Sequence, residues 1–164
     1  MVYKNRLKHI LAAILFIVGF NLNAQQIVRL TDFRNSDLKE ESVEFDRLVF
    51  DNLSTIYLVK EKLIVKGDSP VRIVTDISSW DKLSQVNDSE LIKVIVLRIH
   101  EKTDLNQVID LKLLSRFPSV ERVFISGDFS ICDELSKDCE IDKISRILNG
   151  SGNIEIIYDF QTIN

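Results

Sequence analysis

Histidine is the side chain that titrates nearest to neutral pH, and beyond residue 24 the chain carries a single one, His100. One histidine excludes a histidine-based zinc site and any mechanism that needs two imidazoles. It could still serve as the general base of a small hydrolase, either in a Ser-His-Asp arrangement or with an acid from residues 128–142. The sequence has no G-x-S-x-G elbow, phosphate loop or dinucleotide fingerprint, so we expect no cofactor.

His100 directly follows the apolar run 92–99, which places it at the carboxyl end of a predicted strand. Active residues of α/β sheets collect at that edge. A solvated polar residue at the end of a strand is the commoner explanation of such a position. We therefore predict that the protein is not an enzyme and keep the hydrolase as the alternative.

Carboxylates are concentrated between residues 128 and 142, where oxygen-rich clusters could hold Ca²⁺. Their spacing matches no calcium loop, and Lys137 and Lys143 interrupt the negative charge. We therefore expect a solvated loop and no metal. The acids concerned are Asp128, Asp133, Glu134, Asp138, Glu140 and Asp142.

The first 24 residues have the layout of a bacterial secretory signal peptide. Lys4, Arg6 and Lys8 precede an uninterrupted apolar run from Ile10 to Phe20, and a short polar stretch then ends at Ala24. Eleven residues rise about 16 Å as a helix, which is too short to cross a bilayer. We predict cleavage near Ala24, export to the periplasm or the medium, and no stable membrane span.

Export favours a disulfide between Cys132 and Cys139, the two cysteines of the chain. On one straight helix their Cα atoms would be about 10 Å apart, beyond the limit of about 7 Å for bridging. A bridge therefore requires a loop between them. Closing such a short ring stabilises the folded state by roughly 2 to 3 kcal/mol, so we expect a structural role.

Residues 25–164 hold 18 basic and 25 acidic side chains, a net charge near −7. An acidic chain without a basic stripe lacks the electrostatic footprint of a nucleic-acid-binding protein. The chain is 45% hydrophobic and has no low-complexity segment, and the 140 residues from 25 to 164 are sufficient for one buried core. We therefore predict a single domain over residues 25–164.

The pattern of secondary structure places these residues on an α/β fold. Ser36 begins a predicted helix that ends near Asp51, and short runs rich in β-branched and aromatic residues predict strands. Helical patterns alternate with the later strands, which indicates a mostly parallel sheet. The predicted strands are 55–59, 63–65, 71–75, 92–99, 120–126 and 154–160, and the later helices are 79–86, 104–117 and 140–148.

A weak internal repeat is visible when the starts of the strands are aligned. Residues 53–58, 91–96 and 120–125 fit the pattern L-x-x-L-x-L, and residues 71–74 and 154–157 fit its first half. From about residue 53 to residue 160 the chain therefore resembles a leucine-rich repeat protein. The resemblance implies a curved parallel sheet that binds proteins, with no catalytic residues.

The predicted strands are apolar on both of their faces, as is typical of a sheet that is covered on both sides. Either residues 27–50 cover the second face, or that face is a binding surface. One helix is too little to cover five strands, so we expect Tyr57, Phe124 and Tyr158 to lie on a partly exposed binding face. The opposite, helix-side core is expected to contain Val94, Val96, Val123, Ile125 and Ile157.

Together these features predict a non-catalytic exported module that binds another protein. An immunity or inhibitor protein against a secreted toxin is one concrete form, because such proteins are small, acidic and free of catalytic groups. The alternative is the small exported hydrolase, with His100 as the base and an acid from the 128–142 loop.

Overall fold

A computed structural model describes residues 25–87, 89–133, 136–150 and 154–160, and the predicted signal segment 1–24 lies outside the described residues. Nine strands are present in this part of the chain, seven of them in one sheet. In chain order they are β1 (Ile27–Arg29), β2 (Thr55–Val59), β3 (Lys62–Lys66), β4 (Arg72–Asp76), β5 (Val94–Arg98), β6 (Ile109–Asp110), β7 (Arg122–Gly127), β8 (Leu148–Asn149) and β9 (Glu155–Phe160).

The main sheet is parallel except at one edge. Its strand order is β3-β2-β4-β5-β7-β9-β1, and only the β2–β3 pair is antiparallel. Strands β6 and β8 form a separate short parallel pair. The predicted α/β fold with a mostly parallel sheet is therefore confirmed, and all six predicted strands are present. Strand β1 was missed because three residues carry no detectable alternation.

Three α-helices accompany the sheet in the described residues: α1 (Leu30–Arg34), α2 (Lys39–Phe50) and α3 (Lys137–Ile147). Acids in the first turn of α2 suit the positive end of its dipole, and Phe45, Leu48 and Val49 form its buried stripe. Helix α3 is capped by Ser136, whose hydroxyl accepts a hydrogen bond from the Cys139 N–H. The predicted helices 36–51 and 140–148 correspond to α2 and α3.

The predicted helix over residues 104–117 is wrong, and short 3₁₀ segments stand in its place. These are Lys102–Asn106 and Leu111–Arg116, separated by strand β6. The side chain of Asp104 accepts hydrogen bonds from the His100 and Glu101 N–H groups, and that of Asp110 accepts one from Lys112. Such local bonds compete with a continuous helix. The predicted helix over 79–86 is likewise a 3₁₀ segment, Ile77–Gln85.

One face of the sheet, here called the connection face, packs against the segments that join successive parallel strands. Trp80, Phe117 and Ile144 come from three different connections and are at most 2% exposed. This face carries the larger of the two apolar clusters in the described residues. Its residues from the main sheet are Ile56, Leu58, Ile73, Ile95, Leu97, Val123, Ile125, Ile156, Tyr158 and Phe160.

The opposite face, here called the α2 face, is covered by α1 and α2. These two helices contribute Leu30, Phe33, Phe45, Leu48 and Val49, all of which are buried. The 27–50 segment thus covers this face, and the expectation of a partly exposed second face is wrong for the part of the sheet beneath the helices. The strand residues of the α2 face are Val74, Val94, Val96, Phe124 and Ile157.

Arg72 attaches the end of α2 to the sheet. Its buried guanidinium donates hydrogen bonds to the carbonyl oxygens of Leu48, at 2.9 Å, and Val49, and also to the Thr55 hydroxyl. Burial lowers the pKa of Arg72. The bonds satisfy carbonyl groups that the last turn of a helix leaves without intrahelical partners. A single buried arginine therefore fixes where α2 stops.

Candidate functional site

A cleft opens at the carboxyl ends of the central strands, on the α2 face, just beyond the point where α2 stops. Arg98 is the last residue of β5, and Ser126 and Asp159 are the second-last residues of β7 and β9. The sheet register aligns Arg98 with Ser126 and Ser126 with Asp159. The cavity has a volume of ≈ 420 Å³. Its polar lining also includes His100 and Asp128, which follow β5 and β7. Parallel strands thus deliver their terminal polar residues to one place.

Two aromatic side chains, Phe50 and Phe124, line part of the cleft. Phe50, the last residue of α2, is 55% exposed, and its ring makes an edge-to-face contact with the buried ring of Phe124 at 5.8 Å. The Arg34 guanidinium stacks over Phe50 at 5.3 Å from the ring centroid. Gly127 lies at the floor, where a Cβ would come within 2.9 Å of the Ile99 carbonyl oxygen. The lining of the cleft therefore combines apolar and charged side chains.

The alternative hydrolase hypothesis pairs His100 with an acid from residues 128–142, and the structure places His100 and one of those acids, Asp128, on this cleft. The His100 side chain is exposed, and its backbone N–H donates a hydrogen bond to Asp104 at 2.9 Å. Among the described residues, no side chain hydrogen-bonds the His100 imidazole.

Of the other acids in this stretch, Asp133, Asp138, Glu140 and Asp142 lie on or before α3, and Glu134 lies outside the described residues. Glu140 is 4% exposed and accepts hydrogen bonds from the Arg29 guanidinium, and Asp142 pairs with Arg146 one turn later. The hydrogen bond to Glu140 raises the pKa of Arg29. In the described part of the chain, no group of three or more histidine, cysteine or acidic side chains is arranged to hold a metal ion.

Cys132 and Cys139 form a disulfide, which confirms the predicted pairing. Their Cα atoms are 6.4 Å apart, and Cys139 lies in the first turn of α3 while Cys132 precedes the helix, so a loop separates them as predicted. Cys132 is buried in the core of the connection face. The bridge therefore ties the start of α3 to the sheet.

The three residues predicted as binding anchors do not form a free surface. Phe124 is 3% exposed beneath α2, and Tyr158 is 0% exposed on the opposite face. Burial raises the pKa of the Tyr158 phenol to about 12. Tyr57 is half-buried at the margin of the α2 face. The predicted exposure of Phe124 and Tyr158 is wrong because α1 and α2 cover one and the connecting segments cover the other.

Three consecutive exposed apolar residues lie instead on β3, at the edge of the sheet. Leu63, Ile64 and Val65 are 45%, 60% and 52% exposed, and all five residues of the strand are exposed. Ile64 continues the α2 face next to Tyr57, and Leu63 and Val65 continue the connection face next to Leu58 and Ile56. Sequence reasoning predicted this strand but not its exposure.

Strand β3 is held rigidly by its turns. Lys60 and Glu61 connect it to β2 with φ angles of 51° and 60°, a left-handed conformation that is costly for residues other than glycine. The Lys60 N–H donates to the Asp76 carboxylate at 2.8 Å, and the Glu61 N–H donates to the Ser79 hydroxyl at 3.0 Å. At the other end the Ser54 hydroxyl donates to the Lys66 carbonyl oxygen.

Asp76 holds this turn through its carboxylate and is itself buried. Burial alone would raise the pKa of Asp76, but hydrogen bonds from the Ser79 hydroxyl and N–H, the Lys60 N–H and the Ser78 hydroxyl outweigh it and lower that pKa. The carboxylate is therefore held in its charged form, with the strained turn fastened to it.

Comparison with known proteins found no match: no family model, curated protein sequence or solved structure matches this chain. None of the helices in the described residues has the length and apolar character required to cross a membrane. The resemblance to leucine-rich repeats consequently stays a prediction.

Proposed function

We propose that the protein is an exported, non-catalytic module that binds another protein, and that strand β3 is its docking surface. The observation that carries the proposal is the run of three apolar residues on β3, each about half exposed, at the edge of a sheet whose central strands bury apolar residues on both faces. Most exposed apolar residues of a soluble domain are scattered singly, and contiguous ones mark interaction sites.

Docking along an edge strand follows from the chemistry of the backbone. An edge strand presents N–H and C=O groups without ladder partners, and an extended peptide can add to it as a further strand. The side chains on both faces of β3 then supply specificity. The two supports of the turn keep the strand in place before a partner arrives, which reduces the entropy lost on binding.

Export is part of the proposal and rests on two features. The disulfide between Cys132 and Cys139 requires an oxidising compartment in most organisms, and the charged and apolar pattern of the first 24 residues suits a signal peptide. An immunity or inhibitor protein, which works by occupying a secreted partner, is a form of this function that needs no catalytic group.

The test compares partner capture by three proteins with the same tag: the wild type, Ile64→Asp and Val108→Asp. Val108 is 63% exposed on a different surface, so its substitution controls for adding a charge at an exposed apolar position. After crosslinking in the producing cells, we expect one discrete protein to be recovered with the wild type and with Val108→Asp, but not with Ile64→Asp. Equal recovery with all three would contradict the proposal, provided that their melting temperatures agree.

The hydrolase remains the second candidate because His100 and Asp128 line the same cleft. In that reading, His100 removes a proton from water or from Ser126, and an Asp128 carboxylate orients the imidazole. The purified protein would be assayed with generic ester, peptide and phosphate-ester substrates. Hydrolysis by the wild type that is lost in both His100→Ala and Asp128→Asn would support the hydrolase hypothesis. If the wild type and both variants had equal rates, the hypothesis would be wrong.

A further inference from the structure

We propose that the partner segment which docks on β3 is an extended acidic peptide that pairs with the strand through its backbone and places carboxylates beside Lys62 and Lys66. This inference rests on the proposed function and adds the chemical class of the partner. Three features support it: the outer edge of β3, the position of its lysines and the charge of the rest of the chain.

In the part of the chain that the structure describes, no strand pairs with the outer edge of β3. Its pairing with β2 is regular over five residue pairs, from Val59 opposite Lys62 to Thr55 opposite Lys66, without a bulge that would twist the edge away. A regular five-residue edge is long enough to template one further strand.

Lysines lie at both ends of this edge strand. Lys62, Ile64 and Lys66 alternate with Leu63 and Val65, so the two lysines share the α2 face of the strand with Ile64 between them. Lys60 adds a third positive charge in the turn, while Glu61 and Asp68 lie beyond the two ends of the strand. The exposed Lys66 ammonium also donates a hydrogen bond to the Asn52 side chain at 3.0 Å, and this bond holds the ammonium in position.

This positive strand belongs to a chain with a net charge of −4, or near −7 without the first 24 residues. A partner with acidic side chains is therefore attracted to β3 and repelled by much of the remaining surface. Charges of opposite sign directly across a strand pair stabilise the pairing, and charges of like sign destabilise it. The electrostatics thus select both the class of partner and the place where it binds.

A second copy of the chain fits this edge less well. If two β3 strands paired antiparallel about Ile64, each Lys62 would lie opposite the partner copy's Lys66. Two pairs of like charges would then face each other at the distance of cross-strand neighbours. Edge lysines are a known way of opposing such self-association. The same lysines that repel a copy attract an acidic strand.

The experiment uses the disulfide-bonded protein and three synthetic peptides in a fluorescence anisotropy assay. The acidic probe Ser-Glu-Thr-Val-Thr-Glu-Ser places its glutamates at the spacing of Lys62 and Lys66. Ser-Lys-Thr-Val-Thr-Lys-Ser reverses the charges, and Ser-Glu-Thr-Pro-Thr-Glu-Ser keeps the charges but removes a backbone N–H donor. We expect the acidic probe alone to bind, and to bind more weakly as salt is added.

Protein variants then locate the binding. The double variant Lys62→Glu with Lys66→Glu should bind the acidic probe about tenfold more weakly and gain affinity for the charge-reversed peptide. Lys112→Glu, at an exposed site on another surface, should bind like the wild type. Since all three lysines are exposed, every variant should have a melting temperature close to that of the wild type.

Each contrary outcome has a definite meaning. Equal binding of the acidic and the proline peptides, or equal binding to both lysine variants, would show that charge alone or another surface is responsible and would overturn the inference. Binding of none of the peptides, together with partner capture that depends on Ile64, would overturn the acidic class but leave the proposed function standing. A dimer in sedimentation that Ile64→Asp abolishes would show that the occupant is a second copy.

Discussion

The single carboxylate of Asp76 carries out two structural tasks. It accepts the Lys60 N–H of the β2–β3 turn, and it caps the 3₁₀ segment after β4 by accepting the Ser79 N–H and the Ser78 hydroxyl. Residues held at positive φ persist only when their surroundings determine them, and Asp76 is the main determinant here. The position of the proposed docking strand therefore depends on one residue that contacts no partner.

Replacement of Asp76 by Asn tests this dependence. One acceptor oxygen becomes a donor that faces an N–H group, so we expect the free energy of unfolding to fall by about 2 to 3 kcal/mol at pH 7. Because the pKa of Asp76 is lowered in the folded state, its contribution is present above the ordinary value of 3.8 and is lost as the pH falls through the lowered folded value. The difference between wild type and variant should therefore shrink below about pH 4.

Urea unfolding at a series of pH values measures that difference. Asp81→Asn, at an exposed position in the same 3₁₀ segment, is the matched control and should be close to neutral. A loss for Asp76→Asn that is no larger than that of the control, or that grows on acidification, would contradict the role assigned to this carboxylate.

At the scale of elements, the main event is that α1 and α2 close the second face of the sheet. Phe124 is the centre of this contact, because its ring packs edge to face against Phe45 at 5.8 Å and against Phe50 at the same distance. Phe33 extends the cluster through Phe45. Two short helices suffice because large aromatic side chains fill the space between them and the strands.

Phe124→Asp is therefore expected to unfold the domain, since it places an unpaired charge in this cluster. Phe124→Ala should cost about 3 to 5 kcal/mol, as is usual for a buried phenylalanine. Val43→Asp is the matched control: it adds the same charge on α2, at a side chain that is 70% exposed. Thermal melts decide the matter, and a Phe124→Asp protein as stable as the Val43→Asp protein would mean that the face is not closed in solution.

The elements could be predicted from the sequence to different degrees. Strands such as β5 and β7 were recognisable because runs of β-branched residues are bounded by turns. Their facing was not: in Val94–Arg98 four consecutive residues are buried, so no polar alternation shows which side meets α2. Five residues were accordingly predicted to share one helix-side core, but Val94, Val96 and Ile157 lie on the α2 face, whereas Val123 and Ile125 lie on the connection face. Only the register between strands determines this.

The candidate sites could likewise be predicted from the sequence only in part. The meeting of His100 and Asp128 was foreseeable because both follow strands of one parallel sheet, whose carboxyl ends share an edge. The exposure of β3 was not, because Leu63-Ile64-Val65 has the composition of a buried strand. It is exposed because β3 turns back antiparallel at the edge and, within the described residues, no crossover segment packs over it. Composition does not encode this fact of topology.

At the scale of the whole molecule, the beginning of the described chain is built into the far side of the sheet. Strand β1 pairs with β9, and the Ile156 N–H donates a hydrogen bond to the Gln26 carbonyl oxygen at 2.8 Å. Arg29 then pairs with the buried carboxylate of Glu140 on α3. Removal of one partner of a buried ion pair typically costs several kcal/mol, because the remaining charge is left without compensation. A mature protein that started after Arg29 would lose both interactions.

The position of the signal-peptide cleavage site is limited from both sides. The proposed signal peptide ends near Ala24, and the fold requires the chain from Gln26 onward, so the exported protein should begin at or close to Gln25. The intact mass of protein from the periplasm or the medium measures this directly. As a control, recombinant proteins that start at Gln25 and at Leu30 should differ in stability, the shorter one lacking β1 and leaving Glu140 unpaired. A species that starts at Met1 in the exported fraction would end the signal-peptide argument, and an equally stable protein starting at Leu30 would show that β1 does not set the limit.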